Sequence, residues 1–97
     1  KTEFRPTRVR RGVTVGANAT IVCGNELGEY CMVGAGSVVT SAVRPFALVV
    51  GVPARQLGWV CRCGARLQLE EDRATCGDCG TRYALSGSDL QLVGESA

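Results

Sequence analysis

The sequence contains no histidine, a single methionine and a single tryptophan, and aromatic residues make up only 5% of its 97 positions. Without an imidazole this segment offers no histidine base and no histidine metal ligand, so its chemistry falls to cysteine, carboxylate and arginine side chains. An excess of charge of one sign is also missing. Eleven Lys and Arg against nine Asp and Glu leave a net charge of +2, too small by itself to argue for a nucleic-acid partner. No long apolar run and no signal-peptide pattern is present, so nothing suggests a membrane span or export, and the expected location is cytoplasmic. What remains, 45% apolar and 21% charged, is ordinary globular material for one domain or two very small ones, with order expected to about residue 85.

From Val9 to Val43 an aliphatic residue returns every sixth position: Val9, Val15, Ile21, Leu27, Val33, Val39. A helix repeats apolar residues near 3.6 and a half-buried strand near 2, so this spacing needs another geometry. A coil of short parallel strands supplies it, with three six-residue units closing a triangle and successive triangles stacking. Counting the aliphatic residue as position one, position five reads Val13, Ala19, Asn25, Cys31, Ser37, Val43, mostly small side chains suited to an inner corner, with Asn25 needing a polar partner. Position four reads Gly12, Asn18, Gly24, Tyr30, Gly36, Ala42, and four of these six are Gly or Asn, which adopt the positive φ of a sharp turn most readily. An antiparallel sandwich would instead alternate apolar and polar residues and carry Asn-Gly hairpins, and this stretch shows neither.

Stacking by eighteen residues sets Leu27 on Val9, Val33 on Val15 and Val39 on Ile21, with Cys31 on Val13 and Ser37 on Ala19. Cys31 is then a small buried hydrophobe rather than a catalytic thiol, which needs a base and some exposure. Cys23 at position three points outward, either to solvent or to a neighbouring subunit. Six hexapeptides make only two coils, whereas repeat folds generally need about three units and capped ends. The chain is therefore expected to be the C-terminal part of a longer protein. Residues 1–8, with Pro6, read as a loop feeding the first coil. Arg5, Arg8, Arg10 and Arg11 cluster there as solvated surface or as an anion site. After Val43 the register is expected to end at Arg44-Pro45, with one further strand at Ala47-Leu48-Val49-Val50 and a closing loop at Gly51-Val52-Pro53-Ala54-Arg55.

The runs Gly12-Val13-Thr14-Val15-Gly16-Ala17-Asn18-Ala19-Thr20-Ile21, Val33-Gly34-Ala35-Gly36-Ser37-Val38-Val39-Thr40 and Val50-Gly51-Val52-Pro53-Ala54-Arg55 together resemble the closing coils of the hexapeptide-repeat acyltransferases, over roughly residues 8 to 58. Beyond them, Trp59-Val60-Cys61-Arg62-Cys63-Gly64 and Cys76-Gly77-Asp78-Cys79-Gly80 form C-x-C-G and C-x-x-C-G, separated by twelve residues. Two cysteine pairs on two turns can bring four thiolates to tetrahedral distance around one zinc ion, and Cys61, Cys63, Cys76 and Cys79 are the expected ligands. The ion would hold together a segment too small for its own core. Two disulfides are the competing reading and suit an exported protein. As a nucleic-acid module the ribbon is poorly equipped: Arg62, Arg66, Arg73 and Arg82 are offset by Glu70, Glu71, Asp72 and Asp78, and Tyr83 is the sole aromatic beyond Trp59.

A hexapeptide coil followed by Gly-Trp-Val-Cys-x-Cys-Gly looks like one branch of that superfamily, the acetyltransferases acting on the 3-amino group of UDP-2-acetamido-3-amino-2,3-dideoxy-glucuronic acid in bacterial surface polysaccharide synthesis. The resemblance implies an all-β chain with a left-handed parallel β-helix and a small zinc ribbon, a homotrimer, acetyl-coenzyme A as donor and a nucleotide sugar as acceptor. It further implies that backbone groups of Gly34, Ala35 and Gly36 line the pantetheine arm and that Arg55 lies near a coenzyme phosphate, although Arg55 reads equally well as a surface arginine after a turn. The superfamily often uses a histidine base; here either the base lies in preceding coils or the amine loses its proton to solvent, so no catalytic residue is assigned. The expected organisation is a lead-in loop (1–8), coils with exit strand and loop (9–58), a four-cysteine zinc ribbon (59–85) and a mobile tail (86–97), whose Leu90-Gln91-Leu92-Val93 patch could form one strand turn packed on the ribbon. A non-catalytic trimeric scaffold and a nucleic-acid-binding ribbon are the alternative functions.

Overall fold

The computed structural model describes residues 7–22 and 24–93, so the readings for residues 1–6, including Arg5, for Cys23 and for residues 94–97 lie outside the described residues. No helix occurs among the described residues, and none is long and apolar enough to cross a membrane. The chain is all-β. Six two-residue strands, β1 (Arg8–Val9), β2 (Thr14–Val15), β3 (Thr20–Ile21), β4 (Glu26–Leu27), β5 (Met32–Val33) and β6 (Val38–Val39), are followed by β7 (Ala47–Val50) and β8 (Arg55–Val60). The pairings are parallel and follow the six-residue repeat: Val9 on Leu27, Val15 on Val33 and Ile21 on Val39.

Each coil satisfies the backbone of the next. Gly16 N–H donates to the Val33 carbonyl at 2.8 Å, Thr20 to Ser37 at 2.8 Å and Val22 to Val39 at 2.9 Å. Because the strands are only two residues long, the corners must turn sharply, and five of the position-four residues take positive φ: Gly12, Asn18, Gly24, Tyr30 and Gly36. The polar partner that Asn25 needs is the Val22 carbonyl, 2.9 Å from its amide nitrogen. Leu27, Cys31, Val33, Ser37 and Val39 are buried between coils. Val9 and Val15 remain 59% and 46% exposed, because among the described residues no strand lies beneath them.

The last rung departs from the expected register. Val43 does not join Val13 and Asn25 in the inner corner; it bridges in parallel to Leu27, and Val49 pairs with Val33, so this rung follows after sixteen residues instead of eighteen. The shortening falls in residues 40–42. It moves Ala47 over Cys31, where both are fully buried, and puts Phe46 at φ 63° over Tyr30 at φ 60°, their rings stacked at 5.6 Å. Gly28 is required beneath this rung, since a Cβ there would approach the Pro45 nitrogen to 2.5 Å.

From β7 the chain turns back into β8, which pairs antiparallel with it and then with β9 (Arg66–Leu67), so one sheet ordered β2-β5-β7-β8-β9 carries the coil into the cysteine segment. A boundary at residue 58/59 therefore falls inside β8. Strands β10 (Arg73–Thr75), β11 (Arg82–Ser86) and β12 (Asp89–Leu92) form a separate antiparallel sheet. Within the tail, 86–97, the Leu90-Gln91-Leu92 patch lies in the strand β12; Leu90 anchors it by packing, 2% exposed, in the core of Phe46, Leu67, Ala74 and Tyr83. Trp59 touches both this core and that of the coil.

Burial pushes the Cys31 thiol up to about 11. A thiol that is protonated and fully covered is a poor nucleophile. Native protein at pH 7.5 should leave Cys31 unlabelled by iodoacetamide, with labelling appearing only in denaturant; peptide mass mapping reads the difference.

Candidate functional site

Two sites were expected, one at a corner of the coil and one at the cysteines. The corner holds Gly34, Ala35 and Gly36 in the turn after β5. Gly34 N–H donates to Val49 at 2.9 Å, Gly36 N–H donates to the Ala17 carbonyl at 2.9 Å, and a Cβ on Gly34 would meet Val50 at 2.7 Å. The loop of residues 51–54 is tied to the same corner. Gly51 N–H donates to the buried Ser37 hydroxyl at 3.0 Å, Val38 N–H to the Gly51 carbonyl at 3.0 Å, and Ala54 N–H to the Val38 carbonyl at 2.8 Å. The Val52–Pro53 peptide is cis.

Arg55 is one strand away, paired with Val50 and exposed. It lines a depression of about 250 Å³ with Ser41, Ala42, Arg44 and Ala54, to which Gly34, Ala35 and Gly36 do not contribute. The turn and the loop are thus brought together, while Arg55 faces a neighbouring surface. Of the N-terminal arginines, Arg10 is engaged with Glu26 at 2.7 Å across adjacent coils, and that hydrogen bond holds the Glu26 carboxyl below its ordinary range. Both groups are about half exposed, and such pairs contribute little stability.

The four cysteines converge. Cys61 follows β8, Cys63 lies in the turn before β9, and Cys76 and Cys79 occupy the loop between β10 and β11. All four Sγ atoms lie within 4.8 Å of one another, with Cys61 and Cys79 at 3.4 Å and Cys63 and Cys76 at 3.6 Å. All four are free thiols. A zinc ion with bonds of about 2.3 Å to four sulfurs spaces them about 3.8 Å apart, so this set fits a tetrahedral ion. Four sulfur ligands leave no open coordination position, which is the arrangement of a structural site rather than a hydrolytic one. Cys61 and Cys76 are buried and Cys63 and Cys79 exposed, so the cluster has one dry side and one wet side.

Hydrogen-bond donors surround the sulfurs. The Ala65 N–H favours the Cys63 thiolate, but proton sharing with Cys61 and Cys76 outweighs it and pushes this thiol up to about 12. At Cys79 the Thr81 hydroxyl, 3.1 Å away, and the Thr81 N–H draw the thiol down to about 6. The Tyr83 hydroxyl donates to Cys61 Sγ at 3.1 Å, and burial together with this bond pushes the phenol up. Thr81 and Tyr83 are absent from the expected site residues. Their signal in the sequence is faint, a hydroxyl two residues beyond the last cysteine and a lone aromatic in an otherwise polar stretch.

No family model matches the chain. Over 91 residues it is 50% identical to dTDP-3-amino-3,6-dideoxy-alpha-D-galactopyranose 3-N-acetyltransferase from Aneurinibacillus thermoaerophilus, covering 93% of this chain and 47% of that protein. Over 47 residues it is 49% identical to a serine acetyltransferase from Buchnera aphidicola, covering 48% of this chain and 18% of that protein. Among solved structures, a hexapeptide-repeat-containing acetyltransferase from Vibrio cholerae complexed with acetyl coenzyme A matches with a TM-score of 0.56 and 38% identity, over 57% of this chain and 30% of that one. A galactoside acetyltransferase in complex with coenzyme A matches with a TM-score of 0.55 and 31% identity, over 57% and 28%. The chain spans about half the length of the amino-sugar acetyltransferase and less than a third of these two structures. An alignment of 91 residues out of 97 necessarily runs through the cysteine segment, so the resemblance to the amino-sugar acetyltransferase includes it.

Proposed function

We propose that this chain is part of an acetyl-coenzyme A-dependent N-acetyltransferase whose acceptor is the 3-amino group of a nucleotide-linked sugar. The observation that carries the reading is the match through both coil and cysteine segment to an enzyme acting on such an amine. In the reaction, the neutral amine attacks the thioester carbonyl, a C–N bond forms, the C–S bond breaks, the amine loses its proton and coenzyme A leaves as the thiol. Close approach and hydrogen-bond donors toward the developing oxyanion are the catalytic requirements.

In this reading the coil is left-handed and assembles as a homotrimer. The turn of Gly34, Ala35 and Gly36, with the 51–54 loop bonded to it, offers backbone groups to the pantetheine arm, and Arg55 meets a coenzyme phosphate from the adjoining surface. Cys61, Cys63, Cys76 and Cys79 hold a structural zinc ion. A cytoplasmic setting, where thiols stay reduced, suits that site. Two acceptors share the required amine: a dTDP-linked 3-amino-3,6-dideoxyhexose, as in the bacterial relative, and a UDP-linked 3-amino-glucuronate serving surface polysaccharide synthesis.

The full-length protein that contains residues 1–97 should release free coenzyme A thiol from acetyl-coenzyme A in the presence of one of these nucleotide sugars, and not with serine. Activity on serine alone, or on neither sugar, would falsify the acceptor assignment. Arg55→Ala should raise the KM for acetyl-coenzyme A about 10-fold with kcat little changed, because a lost phosphate contact weakens ground-state and transition-state binding alike. An unchanged KM removes Arg55 from the coenzyme site.

A further inference from the structure

We propose that Tyr83 is a positioning residue for the four-sulfur site, donating its hydroxyl proton to Cys61 and thereby tying the metal centre to the last rung of the coil. The inference rests on the reading of the cysteine cluster as a metal centre.

At the exposed Cys79 the hydroxyl partner is local in sequence: Thr81, 3.1 Å away, is only two residues further along. Such a bond forms with the turn itself. Cys61 differs: its donor is a side chain 22 residues away on β11, at 3.1 Å. The proton has one place to go, because the Arg62 N–H already donates to the Tyr83 oxygen at 2.9 Å. A single hydroxyl therefore accepts from one residue of the short C-x-C turn and donates to the sulfur of its neighbour, fixing both.

Tyr83 is itself held from the coil side. It is 1% exposed, and its ring meets Phe46 edge-on at 5.0 Å and 67°. Phe46 stacks on Tyr30, and Tyr30 covers Gly12, where a Cβ would come within 2.3 Å of the ring. One column of corner residues thus runs from the first coil to Cys61. Four thiolates around a divalent ion carry a net charge of −2, and donors to the sulfurs spread that charge. Loss of such an outer partner typically costs about 10–100-fold in metal affinity.

The test uses the full chain loaded with zinc, and Tyr83→Phe, which keeps the ring and its contact with Phe46. Zinc transfer to a chromophoric chelator should show an affinity about 10–100-fold weaker in the variant, with far-ultraviolet circular dichroism unchanged. In the cobalt(II)-substituted proteins, the thiolate-to-metal charge-transfer band should move, because one sulfur has lost its donor. Equal zinc affinity together with an unmoved cobalt band overturns the role of Tyr83 while leaving the metal centre standing. A folded wild-type chain that binds neither ion overturns both. Should Tyr83→Phe fail to fold, 3-fluorotyrosine introduced at position 83 keeps the shape and makes a stronger donor. A shifted cobalt band then supports the proposal and an unshifted one overturns it.

Discussion

With zinc in the four-sulfur site, as proposed above, its removal by a strong chelator or by Cys61→Ser is expected to unfold β9 to β12 while the coil stays folded. The core beneath these strands comprises Phe46, Cys61, Leu67, Ala74, Cys76, Tyr83 and Leu90, so two of its seven buried members are themselves cysteines of the four-sulfur cluster. A segment this short buries too little apolar surface to offset its chain entropy. Structural zinc in comparably small peptides supplies about 10–16 kcal/mol, as much as the whole stability of an ordinary domain. Hydrogen exchange reads the result. The amides of Leu85 and Val93, which donate to Asp72 and Arg82, should lose protection in the metal-free protein, whereas those of Gly16 and Gly34 in the coil should keep theirs. Retained protection at Leu85 and Val93 would show that the sulfurs do not brace the segment.

Leu27→Ala should destabilise the coil by about 2–5 kcal/mol and lower its melting temperature by about 8 °C or more. Leu27 is fully buried, with Val9 on one side and Val43 on the other. Neither neighbouring rung can collapse into the cavity, because each is held by its own interstrand hydrogen bonds; Arg10 N–H donates to Leu27 and Gly28 N–H to Val43. Val9→Ala changes the same column at its 59% exposed end and should shift stability by no more than about 0.5 kcal/mol. Thermal denaturation of the two variants side by side makes the comparison. Equal losses would mean that the aliphatic column is not stacked as described.

Much of the coil was legible because its information is local and repeated. Every six-residue unit presents the same aliphatic, corner and turn positions, so the stacking of Val15 on Val33 or Cys31 over Val13 follows from spacing alone. The shortened rung carries no such signal. Val43 fits either the inner corner or the strand column by residue type. The choice is made by what covers Leu27 and Cys31 from above, and by Phe46 finding a ring to stack on at Tyr30. Tyr30 and Phe46 at positive φ are likewise invisible to a rule that looks for Gly and Asn, because stacking offsets the strain.

The cysteine site divides in the same way. Spacing alone paired the cysteines as C-x-C and C-x-x-C on two turns and left a shared ion and two disulfides as the competing readings; the convergence of all four sulfurs within 4.8 Å is what the structure adds. Spacing likewise determined the parallel repeat, because only a six-residue period places a branched aliphatic on every short strand. The tertiary structure alone decided that β8 carries the chain from coil to cysteines, that Leu90 seats in the core with Phe46, and that Tyr83 reaches Cys61. Those contacts join residues far apart in the chain, and their free energy depends on which apolar surfaces are left uncovered once the repeats have stacked, a quantity that no local pattern encodes.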